Sequence, residues 1–266
     1  MDVRTRNNVT IVGAAGAPTL FLAHGFGCDQ NLWRPLVERL QSEFRLVLID
    51  HVGSGSSDPT AWDADKYSSL HGYADDVLEI LDDLDLRDIV FVGHSVAAMI
   101  GALAAIAAPA RFAKLIMLTP SPRYIDDGDY RGGFTEAHID ELLESMELNY
   151  LGWSHTMAPV IMGNPDRPDL HDELDAAFCR TDPACARVFA RATFLSDNRA
   201  DLARVPVPTL VLECAQDAIA PQGVGEYVSA HIPHSHLVTL DATGHCPHVS
   251  DPDATARAVA AFVRSS

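Results

Sequence analysis

The chain has 266 residues, 47% hydrophobic and 21% charged, an ordinary globular composition with enough apolar residues to fill a sizeable core. Its formal net charge of −18 repels phosphate backbones and anionic lipid surfaces, so neither nucleic acid nor membrane is an expected partner. No apolar run approaches a membrane span, MDVRTRNNVTIV lacks a secretory segment, and Cys28, Cys179, Cys185, Cys214 and Cys246 form no C-x-x-C pair, which together predict a cytoplasmic setting with free thiols.

In chain order, the first strong strand signal is TLFLAH (19–24), followed by the glycine-containing loop HGFGCDQNLW (24–33). RLVLID (45–50) leads into DHVGSGSSD (50–58), which suggests a phosphate cradle but lacks the P-loop lysine and the G-x-G-x-x-G spacing, and so reads as a turn. HGYADDVLEILDDLDL (71–86) places Tyr73, Val77, Ile80, Leu81 and Leu84 at helical spacing. IVFVGH (89–94) is the next strand run, and the Ala-rich GALAAIAAPA (101–110) after it fits a tightly packed helix. KLIMLT (114–119), TLVLEC (209–214) and HLVTLD (236–241) complete the strand runs, and DATARAVAAFV (253–263) is again helical. Near-continuous apolar runs need cover on both faces, the mark of a parallel sheet between helices. The alternation predicts an α/β fold with right-handed crossovers and a sheet of about seven strands.

The alternation breaks once. Residues 121–198 hold no strand run but four helical ones, FTEAHIDELLESMELNY, LGWSHTMAPVIMG, DLHDELDAAFC and PACARVFARATFL, separated by Pro, Gly and Asp clusters. We therefore expect a core made of 1–120 and 199–266, with 121–198 inserted as a helical cap.

Ser95 stands in G-H-S-V-A, at the end of a strand and the start of a helix. That is where a nucleophile elbow belongs, with small neighbours allowing the strained turn. Gly93 meets the need, and Ala97 replaces the usual second glycine. The motif is too short to decide against a serine that merely caps a helix. Position elsewhere decides: in an α/β hydrolase the acid and the base follow the nucleophile, each in a loop after a later strand. Asp217 lies three residues past TLVLEC, and His245 lies in the loop after HLVTLD. All three fall at carboxyl ends of strands, where open α/β sheets gather their sites. Asp241 is too close to its strand, Asp126 and Asp127 fall at the hinge of the cap, His94 should point away from the serine, and His24 should shape its loop.

An acyl-transfer site also needs two preorganised amides for the oxyanion. The N–H of Val96, next to the nucleophile, and that of Phe26 in the early loop are the candidates. Phe26, Tyr124, Phe134, Trp153, Met157, Phe189 and Phe194 are the expected walls of an apolar pocket beneath the cap. HIPHSH (231–236) and HCPH (245–248) lack the i, i+4 spacing with an acidic partner that a zinc helix would show, so no metal or other cofactor is expected.

HGFGCDQNLW, DHVGSGSSD, GHSVAAMIG, TPSPRYIDDGDYRGGF, NYLGWSHTMAP, NPDRPDL, FCRTDP, FLSDNRADL and GHCPH together resemble the bacterial RsbQ family and, less closely, the plant strigolactone and karrikin receptor hydrolases. The resemblance runs from about Val9 to Val263. It implies an α/β-hydrolase fold with a four-helix cap of two hairpins in a V. It also implies Ser95, Asp217 and His245 as a catalytic triad, with Phe26 and Val96 as oxyanion donors. A role in energy-stress signalling follows from it too, beside a PAS-domain serine/threonine phosphatase that senses a small apolar molecule.

Overall fold

The computed structural model describes residues 2–265. Seven strands form one sheet: β1 (Thr10–Gly13), β2 (Thr19–Ala23), β3 (Arg45–Leu48), β4 (Ile89–His94), β5 (Phe112–Leu118), β6 (Thr209–Gln216) and β7 (Ser235–Thr243), in the order β1-β3-β2-β4-β5-β6-β7. All neighbours are parallel except β1 against β3. The helices are α1 (Val3–Arg6), α2 (Arg34–Leu40), α3 (Leu70–Asp83), α4 (Val96–Ala107), α5 (Glu136–Leu148), α6 (Tyr150–Met162), α7 (Pro168–Cys179), α8 (Pro183–Phe194), α9 (Arg199–Leu202), α10 (Gln222–His231), α11 (Pro247–Ser250) and α12 (Pro252–Arg264).

The two faces of the sheet are separate cores, as strand pleating requires. Phe21, Phe91, Leu115 and Val211 pack on one side against α3, α4 and Val228 of α10. Leu22, Val92, Ile116 and Leu212, one residue on in each strand, pack on the other against α2 and α12. The inner strand β4 is therefore buried along its whole length, which its unbroken apolar run foretold. The outer strands differ. β1 is almost entirely exposed and pairs only with β3, so its short TIVG gives no strong apolar signal. β7, read from sequence as covered on both faces, is the opposite edge and fully buries only Leu240 and Ala242. A half-solvated edge strand needs only one apolar face.

Between β5 and β6 the chain makes α5 to α8, whose inward side chains (Ile139, Met146, Trp153, Leu174, Phe178) form a third core with Cys28, Leu32 and Cys246 from the loops above the sheet. Local capping sets where these helices begin. Thr135 accepts from the N–H of His138 ahead of α5, and Asp182 accepts from those of Ala184 and Cys185 ahead of α8, where Pro183 sits at the first turn. Pro159 lies inside α6, which ends three residues later at Met162 with Gly163 as its cap.

Candidate active site

β4 ends at His94, and α4 begins at Val96, so Ser95 occupies the junction alone. Its φ of 57° and ψ of −124° are left-handed for a non-glycine residue, a strain of about 1–3 kcal/mol that the surroundings must hold. They do so through the Ser95 N–H, which donates to the carbonyl of Leu118 on β5 at 2.8 Å. Gly93 makes the turn sterically possible: a Cβ there would lie 2.5 Å from the carbonyl oxygen of Ala97 in the first turn of α4. Helix and strand thus approach to backbone contact even though Ala97 stands where a second glycine is usual.

Ser95, Asp217 and His245 are brought together. His245 Nε2 lies 2.8 Å from Ser95 Oγ, and His245 Nδ1 lies 2.8 Å from Asp217 Oδ2. The Asp217 side chain is fully buried, and its other oxygen accepts from the N–H groups of Ile219 and Ala220 at 2.8 and 3.0 Å. Burial alone pushes this carboxyl upward, but the facing His245 and the two amides outweigh it and hold it below the ordinary aspartate value. The carboxylate therefore stays charged opposite His245.

The backbone of His245 is held as firmly as its ring. Its carbonyl accepts from Thr119 Oγ1 and from the Nε2–H of His94, each at 2.9 Å. Its N–H donates to the carbonyl of Ile161 in the last turn of α6 at 2.8 Å, and Asn164 Nδ2 donates to the neighbouring Thr243 carbonyl at 2.7 Å. Gly244 permits this contact, since a Cβ there would lie 1.9 Å from the Met162 carbonyl oxygen, and its φ is +91°. The unpaired carbonyls at the end of α6 are thus satisfied by the loop that carries the histidine.

Phe26 sits in the turn closed by the Cys28 N–H on the Gly25 carbonyl at 3.2 Å, and that carbonyl also accepts from His24 Nδ1 at 2.8 Å. His24 Nε2 in turn accepts from the N–H of His51 at 3.0 Å. His24 does shape its loop: by holding the Gly25 carbonyl it also orients the N–H of Phe26 across the same planar peptide. Val96 is the first residue of α4, where helical N–H groups have no partner within the helix.

A narrow cavity of about 30 Å³ lies over Ser95 and His245. Phe26, Tyr124, Phe134, Trp153, Met157 and Phe194 line it, as do Leu142 of α5 and Ile161 of α6. The lining is apolar, as in most small-molecule sites, and the helices above must shift for anything much larger than a water molecule to enter. The Tyr124 hydroxyl comes within 3.4 Å of Ser95 Oγ, and burial pushes its ionisation far upward, so it remains a donor. Phe189 corrects the sequence reading. It is not part of the lining; it stacks on Tyr73 at 4.4 Å and 29° in the sheet-side core and meets the edge of Phe26, whereas Phe194 of the same helix lines the cavity. Cys28, His94 and Cys246, to which the sequence assigned no part in the site, all border the cavity. His94, expected only to point away from the serine, is buried and clamps the histidine loop. Asp126 accepts from the N–H of Gly133, Asp127 pairs with Arg199, and Asp241 is exposed, so none of them serves His245. Among the described residues no helix is long and apolar enough to cross a membrane, and no group of three or more His, Cys, Asp and Glu is placed to hold a metal ion.

The comparisons with known proteins agree with this architecture. A model of the alpha/beta hydrolase family matches residues 20–258. The strigolactone esterase D14 of Arabidopsis thaliana is 41% identical over 246 residues, covering 92% of this chain and 91% of its own. The Karrikin insensitive 2 receptor CA of Petunia hybrida is 38% identical over 252 residues, 94% of this chain and 93% of its own. Among solved structures, a hydrolase from Oleispira antarctica superposes with a TM-score of 0.97 at 41% identity, covering 100% of this chain and 97% of that one. By this family match across most of its length, and by relatives near two-fifths identity over nine-tenths of it, the chain belongs to the alpha/beta hydrolase family.

Proposed function

We propose that the protein is a serine hydrolase that cleaves a small apolar ester or lactone-like ligand by acyl transfer to Ser95. The observation that carries this reading is the relay Ser95–His245–Asp217, two contacts of 2.8 Å at the floor of an apolar cavity. As Ser95 Oγ attacks the carbonyl carbon, His245 Nε2 takes its proton and Asp217 stabilises the imidazolium. The carbonyl electron pair moves onto oxygen, which the N–H groups of Phe26 and Val96 receive. The intermediate then collapses. The carbon–oxygen bond to the alcohol breaks, His245 returns the proton to that alcohol, and the acyl group stays on Ser95. Water repeats the sequence and frees the acid. Turnover of a short-chain nitrophenyl ester tests the reading: the wild-type chain should burst and turn over, and Ser95→Ala should not. Equal turnover by both refutes it.

Esterase and receptor names both occur among the relatives. With the RsbQ-like motifs, they support a finer reading: hydrolysis serves cytoplasmic stress signalling, residues 121–198 act as a cap over the ligand, and a PAS-domain serine/threonine phosphatase responds. Co-purification of such a phosphatase tests it. A second reading, a ligand-binding switch whose chemistry is slow or dispensable, is favoured by how completely the helices cover the serine, which is only 5% exposed. There Ser95→Ala would still signal and Trp153→Ala would not. Loss of signalling in Ser95→Ala with ligand affinity intact rejects the switch.

A further inference from the structure

Among the described residues, six that are not glycine have a positive φ: Asn8, Asp85, Asp88, Ser95, Thr119 and Asn164. Asparagine and aspartate tolerate the left-handed region, so four of the six are ordinary. The other two are Ser95 and Thr119, at the ends of the paired strands β4 and β5. The nucleophile turn accounts for Ser95 but not for Thr119. Thr119 has a φ of +46° and is only 1% exposed. Its β-branched side chain disfavours that backbone more than serine does. Strained residues persist only where the surroundings over-determine them, and they gather where a function uses the geometry.

Thr119 is fixed from three directions. The carbonyl of the Leu118–Thr119 peptide accepts from the Ser95 N–H at 2.8 Å, and the N–H of the same peptide donates to the Leu212 carbonyl of β6 at 2.7 Å. The first bond holds the nucleophile's own amide, and the second holds the strand that runs on to Asp217. Because the peptide is planar, each bond fixes the direction of the other. The chain then turns left-handed at Thr119, and Thr119 Oγ1 donates to the His245 carbonyl at 2.9 Å. One residue therefore ties together the segments that carry all three members of the relay. None of these bonds involves a reacting atom, and Thr119 does not line the cavity. The same His245 carbonyl also accepts from His94 Nε2 at 2.9 Å, so it has two attachments from two adjacent strands.

We propose that Thr119 is a positioning residue of the acyl-transfer reaction: its left-handed turn aims the hydroxyl at the His245 carbonyl and so holds the imidazole in register with Ser95 Oγ. The proposal deepens the hydrolase reading and rests on it for its kinetics, but not for its geometry. Misplacing a reacting group by about 1 Å can cost about 10²-fold in rate. With the His94 attachment still in place, losing the hydroxyl should cost less, about ten- to hundredfold. The loss should fall on kcat, because acylation and deacylation both need His245, and not on KM, because no wall of the cavity changes.

Three substitutions separate the hydroxyl from the fold. Thr119→Val keeps the shape and the β-branch but removes the donor, Thr119→Ala removes the donor and lightens the strain, and Thr119→Ser keeps the donor. With a short-chain nitrophenyl ester, Thr119→Val and Thr119→Ala should lose about ten- to hundredfold in kcat with KM within about twofold, and Thr119→Ser should stay within about threefold of wild type. Circular dichroism confirms folding, and Thr119→Ala carries the test if Thr119→Val does not fold. A purely structural threonine predicts a different order, with rates that follow thermal stability across the three variants instead of the presence of the hydroxyl. A second measurement is independent of turnover. The proton NMR signal of the hydrogen between His245 Nδ1 and Asp217, assigned by its loss in His245→Gln, should persist in Thr119→Ser and shift or broaden in Thr119→Val and Thr119→Ala. Ser95→Ala is run beside them. If it retains ester turnover the hydrolase reading falls, and the NMR signal alone decides whether Thr119 sets the histidine. Folded Thr119→Val and Thr119→Ala chains within about threefold of wild type in kcat, a loss that falls on KM, or an unchanged NMR signal overturns the proposal.

Discussion

Asp217→Asn is the most exacting test of the relay, because it changes one atom and almost no volume. The aspartate accepts three hydrogen bonds, from Ile219 and Ala220 on one oxygen and from His245 Nδ1 on the other. An asparagine will keep its carbonyl oxygen on the two amides. Its NH₂ then faces His245 Nδ1 from 2.8 Å, a donor against a donor. His245 escapes by moving its hydrogen to Nε2, the nitrogen that must accept from Ser95 Oγ. The base is then in the wrong tautomer and its imidazolium has no counter-charge. A loss of about 10³–10⁴ in kcat follows, roughly 4–5.5 kcal/mol of transition-state stabilisation. KM should hardly move, because Asp217 does not line the cavity. Stopped-flow acylation with a nitrophenyl ester reads the effect, circular dichroism confirms folding, and Asp241→Asn is the control. A well-folded Asp217→Asn chain within tenfold of wild type would refute the reasoning.

Other predictions concern turns, packing and charge. Gly93→Ala should cost several-fold in acylation and about 2–4 kcal/mol in stability, since its Cβ meets the Ala97 carbonyl at 2.5 Å; Ala97→Val should disturb the same turn, and full activity in either variant counts against a tight elbow. Phe189→Ala should lower stability by about 3–5 kcal/mol through lost stacking in the core while leaving preference among ester chain lengths unchanged, whereas Trp153→Ala should shift that preference towards longer acyl groups. Burial pushes Asp29 up, but Arg180, at 2.6 Å, and the Asn31 amide more than reverse this. A depressed carboxyl contributes stability above its unfolded value near 3.8 and loses it as pH falls through the folded value. In Arg180→Ala burial dominates, the shift reverses, and stability should fall as pH rises from about 4 to 7. Because Arg180 is 41% exposed, we expect a cost of only about 1–3 kcal/mol at neutral pH, measurable by urea titration across that range.

The meeting of Ser95, Asp217 and His245 was legible because strand order carries it. Asp217 and His245 each sit one loop past an apolar run, and a parallel sheet places all such loops at one edge. The inner strands were legible for the same reason, their two-sided burial being written as unbroken Val, Leu and Ile. What was not legible depends on which way a helix faces. Phe189 and Phe194 are both aromatic residues of α8, yet one stacks on Tyr73 and the other lines the cavity. Composition cannot separate them, because the angle of α8 over the sheet is set by tertiary packing. The edge strand β1 was missed because exposure removes its apolar signature. That Cys28 and Cys246 border one cavity escaped notice because they are 218 positions apart and approach it only when two loops fold over the sheet.

The hydrogen bond from the His245 amide to the end of α6 makes that amide a gauge of the contact between the two. Its hydrogen can exchange with solvent only when that bond breaks, so its exchange rate reports how firmly loop and helix are joined. The same event slackens one of the attachments that keep the imidazole in register with Ser95. A chain that loses this contact should therefore lose cover over Ser95 and alignment of its base together.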